Sequence, residues 1–105
     1  MKPQKLISPR RQREIEQSLY KAILTLRSSE ECRAFFRDLC TPAELQALAD
    51  RWAVVPLLQR GVPYRKIHEQ TGVSPTTIGR VARFLTAGNG GYAAATARLK
   101  EQADG

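Results

Sequence analysis

Apolar residues return at intervals of three and four along most of the chain. Nowhere do they alternate with polar residues long enough to form a strand. Ile15, Leu19, Ala22, Ile23 and Leu26 make a first stripe, preceded by Ser8-Pro9, an N-cap serine and a proline whose fixed φ suits a first helical turn. Cys32, Phe35, Phe36 and Leu39 make a second, opened by Ser28 and Glu31 at capping-box spacing. A third helix starts at Thr41-Pro42-Ala43-Glu44 and stops at Gly61, with Leu45, Leu48, Trp52, Val55 and then Leu58 or Gln59 on its buried side. Pro56 lies inside it. A proline there removes one backbone donor and crowds the preceding turn, so the pattern predicts a kink or a break.

After Gly61-Val62-Pro63 the pattern predicts a short helix over 64–71, a longer one over 75–86 opening at Ser74-Pro75, and a last one over 91–102. Gly88-Asn89-Gly90-Gly91 reads as a C-cap and hinge, with Tyr92 packing on the core. Six helices without internal repeats predict a single all-α domain spanning 1–105. A chain of 105 residues buries roughly two thirds of its unfolded surface, enough for a modest core but not a roomy catalytic cleft. Tyr20, Phe35, Phe36, Leu39, Leu45, Leu48 and Trp52 together offer more apolar face than so small a core encloses. The expectation is a dimer built from residues 8–61; a compact monomer is the alternative.

Charge narrows the function. Seventeen Lys and Arg against ten Asp and Glu give a net +7. The excess is uneven: +5 over residues 1–27, −1 over 28–61 and +3 over 62–105. Basic ends around a neutral middle suit a polyanion, most simply nucleic acid, with charge for solubility as the plain alternative. Arg10, Arg11 and Arg13 either follow a DNA backbone or simply face solvent. The opening MKPQKLISPRRQR has no apolar core, so it does not read as a secretory signal, and no apolar run is long enough to span a membrane. Cys32 and Cys40 are eight residues apart on one helical stretch, about 12 Å of rise and too far for a bridge. They read as apolar fillers in a reducing cytoplasm.

The main chemical signal lies in residues 64–83, YRKIHEQTGVSPTTIGRVAR. A helix-turn-helix needs a sharp turn, often with a glycine at positive φ, and a few apolar residues that lock its helices together. Gly72 stands at the turn; Ile67, Val73, Ile78 and Val81 stand at the locking positions. His68 departs from the pattern, because a small residue usually sits where the helices touch; the ring must tilt outward or the crossing must widen. The outward face of the second helix carries Ser74, Thr76, Thr77, Gly79, Arg80 and Arg83. Thr76, Arg80 and Arg83 are placed to bear on base edges, since Arg pairs with guanine in bidentate fashion. Arg80 is alternatively taken up in packing. Ser74, Thr77, Arg65 and Lys66 are placed to hold phosphates, and Gly79 to allow close backbone approach.

The order LYKAILTLRSSEECRAFFRDLCTPAELQALADRW, then the helix-turn-helix, then AGNGGY resembles the Trp repressor-like superfamily, and within it the YerC/YecD group of bacterial proteins. The resemblance covers about residues 16–100. It implies a six-helix fold, an intertwined homodimer and transcriptional DNA binding through paired recognition helices. It also implies a corepressor site, matched at Arg51, Thr77 and Arg80. Val81 stands where the repressor keeps a ligand-admitting glycine, and Phe84 where it keeps a serine for the ligand's amino group. Two bulky apolar residues there predict that tryptophan does not bind.

The expectation is a homodimeric, cytoplasmic regulator, a repressor in its family's manner, that binds double-stranded DNA sequence-specifically and needs no cofactor. The alternative is a helical interaction module for an acidic protein, mildly favoured by His68 and Gly79. No residue set supports an enzyme, and a single histidine with two cysteines has no metal spacing.

Overall fold

The computed structural model describes residues 6–104, so part of the basic leader, on which the reading against a secretory signal rests, lies outside the described residues. Among the described residues there are six helices and no strand: α1 (Pro9–Leu24), α2 (Ser29–Leu39), α3 (Pro42–Gln59), α4 (Tyr64–Thr71), α5 (Pro75–Ala87) and α6 (Gly91–Asp104). The chain divides into two compact units at the Thr41–Pro42 junction.

The first unit holds α1 and α2. Ser8 Oγ caps α1 by accepting the Arg11 N–H at 3.1 Å. Ser28 Oγ does the same for Glu31 N–H at 3.1 Å, while the Glu31 carboxylate reaches back to Arg27 N–H at 2.8 Å. The expected capping box thus forms with its return bond one residue further upstream. Arg10 and Arg11 both approach Glu14, at 3.6 Å, in exposed pairs. Cys32 and Cys40 are free thiols and half-buried. Neither α1 nor α2 contains a fully buried residue. Phe35 and Phe36 meet edge to face at 5.5 Å and are half-buried.

The second unit contains the core. Val54, Val55, Ile67, Val73, Ile78 and Val81 are buried together, with Leu57, Leu58, Val62, Leu85 and Tyr92 packed around them. The core contains no polar side chain among the described residues. On α3 the expected Val55 is buried, together with Val54, whereas Leu48 and Trp52 remain about two-fifths exposed. Helical period alone does not say which stripe a neighbouring helix covers, and α4 and α5 cover the valines.

Pro56 does not break α3. Its ring is on the exposed side, and the next backbone bond, Arg60 N–H to the Pro56 carbonyl at 3.1 Å, is intact. Burial of Val54 and Val55 just before it and packing of Leu57 and Leu58 just after hold the helix through the missing donor. The helix ends where expected. Gly61 has φ +76°; its N–H bonds to Leu58 O and the Val62 N–H to Leu57 O, both at 3.0 Å. This is a Schellman termination, which leaves Val62 against the core.

Candidate nucleic-acid interface

The helix-turn-helix is assembled by its own local chemistry. At Gly72 the chain reaches φ +75°, and the Gly72 N–H closes α4 on the His68 carbonyl at 2.8 Å. Thr71 braces the turn from both sides: its hydroxyl donates to Ile67 O at 2.7 Å and accepts the Val73 N–H at 3.1 Å. Val73 drops into the core directly after the turn, and Ser74 then caps α5 by accepting the Thr77 N–H at 3.2 Å. The bracing role of Thr71 has no distinctive sequence signal beyond a β-hydroxyl residue before a turn glycine.

His68 takes the outward option. The residue is exposed, and its Nδ1 lies 2.8 Å from the Val73 carbonyl oxygen. A carbonyl only accepts, so Nδ1 carries the proton and Nε2 is the other ring nitrogen. His68 therefore ties the body of α4 across the turn to the start of α5, and the helices close without a small residue at this position.

Burial of Ile78 and Val81 orients α5. At 100° per residue, Thr76, Gly79, Arg80 and Arg83 fall within about 100° of arc on the opposite side. Thr76, Arg80 and Arg83 are exposed, Gly79 and Thr77 half-buried, and Arg65 and Lys66 on α4 exposed. No atom lies within 4 Å of where a Cβ on Gly79 would stand, so nothing inside the fold requires a glycine there. The Ser74 hydroxyl is already engaged: besides accepting the cap bond, it donates to Thr77 Oγ1 at 3.1 Å. Its first role is to fix the end of α5, and any phosphate contact would have to take that donor from Thr77.

The residues matched to a corepressor site are divided differently. Val81 is 1 % exposed and belongs to the core, so it closes space by packing inward. Phe84 is 37 % exposed. The Arg80 guanidinium carbon lies 4.7 Å above the centre of its ring and that of Arg83 5.6 Å from it. Beside them is an open recess of about 360 Å³ lined by Arg80, Phe84, Asn89, Gly91 and Tyr92. Arg51, half-buried on α3, is not part of that lining. Asn89 is a lining residue that sequence reasoning placed only in a hinge.

That hinge also works differently from a simple glycine cap. Gly88 has φ −92°, so it is not the left-handed residue; Gly90 is, at φ +83°. Gly88 is required by space, because a Cβ there would collide with the Phe84 carbonyl oxygen. Tyr92 follows, packed on the core and 6.4 Å from the Trp52 ring. No described helix is long and apolar enough to cross a membrane. Among the described residues, no cluster of His, Cys, Asp and Glu could hold a metal ion.

Comparison with known proteins agrees with this geometry. The family model described as Trp repressor protein matches residues 14–100. The uncharacterized YerC protein of Bacillus subtilis (strain 168) is 47% identical over 91 residues, 87% of this chain and 86% of that protein. A TrpR-like protein from Eubacterium eligens ATCC 27750 superposes with a TM-score of 0.79 at 39% identity, over 83% of this chain and 90% of the other. A Trp repressor candidate from Staphylococcus aureus gives 0.79 at 40% identity, over 83% and 87%. The chain belongs to the Trp repressor family, in its YerC-like branch, and has that family's all-α fold.

Proposed function

We propose that the protein is a homodimeric transcriptional regulator of the cytoplasm that reads a palindromic DNA operator through α5 and represses without tryptophan. The observation that carries this reading is the orientation of α5. Its apolar side is locked into the core by Ile78 and Val81, and Thr76, Arg80 and Arg83 face outward; Arg65 and Lys66 on α4 are exposed as well. Among the described residues neither Arg80 nor Arg83 is paired with a carboxylate, so both charges are free for an anion. Thr76, Arg80 and Arg83 read base edges; Arg65, Lys66, Ser74 and Thr77 fix register on phosphates; Gly79 lets the backbone come close.

The apolar surface supports a second copy. Ile15, Tyr20, Leu24 and Leu39 in the first unit and Leu48, Trp52 and Leu99 in the second are all exposed large side chains. In the second unit, Trp52, Pro56 and Leu99 also floor a groove of about 580 Å³ between α3 and α6. An isolated chain gains nothing by exposing so much apolar surface. Two copies related by a two-fold axis would present two α5 helices to successive major grooves, about 34 Å apart. Independence from tryptophan rests on Val81, which is spent on the core, and on Phe84, which occupies the face of Arg80.

Selection of bound duplexes from a random library at about 150 mM salt tests the reading, because non-specific phosphate binding is weak there. The expected result is an enriched palindrome with half-sites one helical turn apart, unaffected by added tryptophan. Arg83→Ala then costs ~1–3 kcal/mol on the selected duplex and relaxes the preference at one position of each half-site. Equal weakening on all sequences would make Arg83 a phosphate contact. No enrichment, together with a stable complex with an acidic protein, would favour the adaptor reading instead.

A further inference from the structure

We infer that Phe84 is a positioning residue: its ring is a built-in platform that holds the Arg80 and Arg83 guanidiniums ready for base recognition. This rests on the DNA-binding reading above and goes one step deeper, to what sets the aim of the two arginines.

Arginine side chains on an exposed helix face ordinarily sample many rotamers, and ordering them on a ligand costs affinity. Here both guanidiniums approach one ring, at 4.7 and 5.6 Å from its centre, within the range in which a cation is attracted to an aromatic face. A carboxylate could have ordered them too, but it would have neutralised the charge that DNA needs. An aromatic ring orders a cation and leaves its charge in place. Among the described residues, the arginines that do pair with a carboxylate, Arg10 and Arg11, lie far away in sequence, on α1.

The platform itself is anchored. Val81, one turn before Phe84, is buried in the core and fixes the rotation of α5. At Gly88, one turn after, a Cβ would collide with the Phe84 carbonyl oxygen, so the chain there admits no side chain. The ring remains 37 % exposed, more than a residue kept only for the core would be, with the recess between it, Asn89 and Tyr92 on one side. A leucine in its place would serve the fold about as well and would order neither arginine.

The test uses the full-length protein with Phe84→Leu and Phe84→Tyr. Two probes are needed: the duplex enriched in the selection above and a random-sequence duplex of the same length. The first readout needs no DNA. In the wild type, the Arg80 and Arg83 Nε–H proton resonances are shifted upfield by the ring current. The shift persists in Phe84→Tyr and disappears in Phe84→Leu. In the second readout, Phe84→Leu weakens binding to the selected duplex about 5- to 50-fold, since releasing one side chain costs roughly two- to tenfold. Binding to the random duplex changes less than about twofold and the salt dependence keeps its slope, because the charges are all still present. Phe84→Tyr stays within about twofold of wild type on both.

Absence of the upfield shift in the wild type overturns the inference, whatever the variants do. So does a Phe84→Leu protein that binds the selected duplex as well as the wild type, or a Phe84→Tyr protein as weak as Phe84→Leu. If the wild type enriches no sequence at all, the regulator reading falls and this inference falls with it. A wild type that binds its selected duplex beside an unaffected Phe84→Leu sinks the platform alone.

Discussion

The two units of this small protein bury their apolar residues to very different degrees. Beyond Pro42, six aliphatic side chains from α3, the α4–α5 turn and its two helices form a buried core. Before Thr41, α1 and α2 have comparable apolar stripes, yet no residue of either is fully buried, and Leu24 is 82 % exposed. The helix-turn-helix unit satisfies its own hydrophobic demand. The N-terminal helices have a demand of the same kind and nothing within their own unit to meet it. Stripes of the same kind in sequence therefore end differently: one is closed into a core, the other stays an exposed apolar surface.

The sharpest way to break this comparison is to remove one core side chain. Ile78→Ala should destabilise the protein by ~2–5 kcal/mol in urea unfolding, since a fully buried aliphatic group leaves both a transfer loss and a cavity. A cost under about 1 kcal/mol would mean that the second unit is no more self-contained than the first.

The N-terminal side of the comparison is sharpened by concentration. If a second copy covers α1 and α2, the melting temperature rises with protein concentration, the coupling being about 1.4 kcal/mol for each tenfold step. Leu39→Glu, which puts a charge on that exposed stripe, should abolish the rise and leave a monomer in sedimentation. A melting temperature that ignores concentration in the wild type would show that the stripes remain open to water.

Within the second unit, two glycines of α5 and its end divide fold from function. Gly88→Ala drives a methyl into the Phe84 carbonyl and should cost ~1–3 kcal/mol of stability by thermal unfolding. Gly79→Ala meets nothing within 4 Å and should stabilise α5 by about 0.5–1 kcal/mol, alanine being the better helix former. The same substitution should weaken operator binding if the backbone at Gly79 approaches DNA. Stabilisation with unchanged affinity would remove Gly79 from the interface.

The smallest effect expected is at a cap. Ser28→Ala removes the acceptor for the Glu31 N–H and should lower stability by ~0.5–1 kcal/mol, read as a loss of helicity at moderate urea. Ser74→Ala is the matching change in the second unit. It should cost a similar amount and also release Thr77 Oγ1 from its bond.

Much of the fold is legible in the sequence because its helix boundaries are local chemistry. Ser8, Ser28 and Ser74 cap the helices they precede, Gly61 and Gly72 turn the chain at positive φ, and each acts through bonds to residues within a few positions. The locking set Ile67, Val73, Ile78 and Val81 was equally readable, because the turn fixes their relative positions. Three features were not. How far the buried face of α3 extends depends on where α4 and α5 lie, so Val54 joined the expected Val55 in the core while Leu48 and Trp52 stayed exposed. Pro56 breaks a helix in isolation, but packing on both sides of it carries α3 through.

The third feature is the site itself. Sequence placed Arg80, Arg83 and Phe84 on one helix and assigned the ring a blocking role. Only the folded backbone put both guanidiniums on that ring and showed Gly88 shaped by the Phe84 carbonyl rather than by its own φ. The amino-acid sequence by itself determined the helices, their ends, the turn and the charge. Those depend on dihedral preferences and on hydrogen bonds a few residues long. Tertiary structure decided which faces are covered and which side chains meet, since close packing is settled between elements distant in the chain.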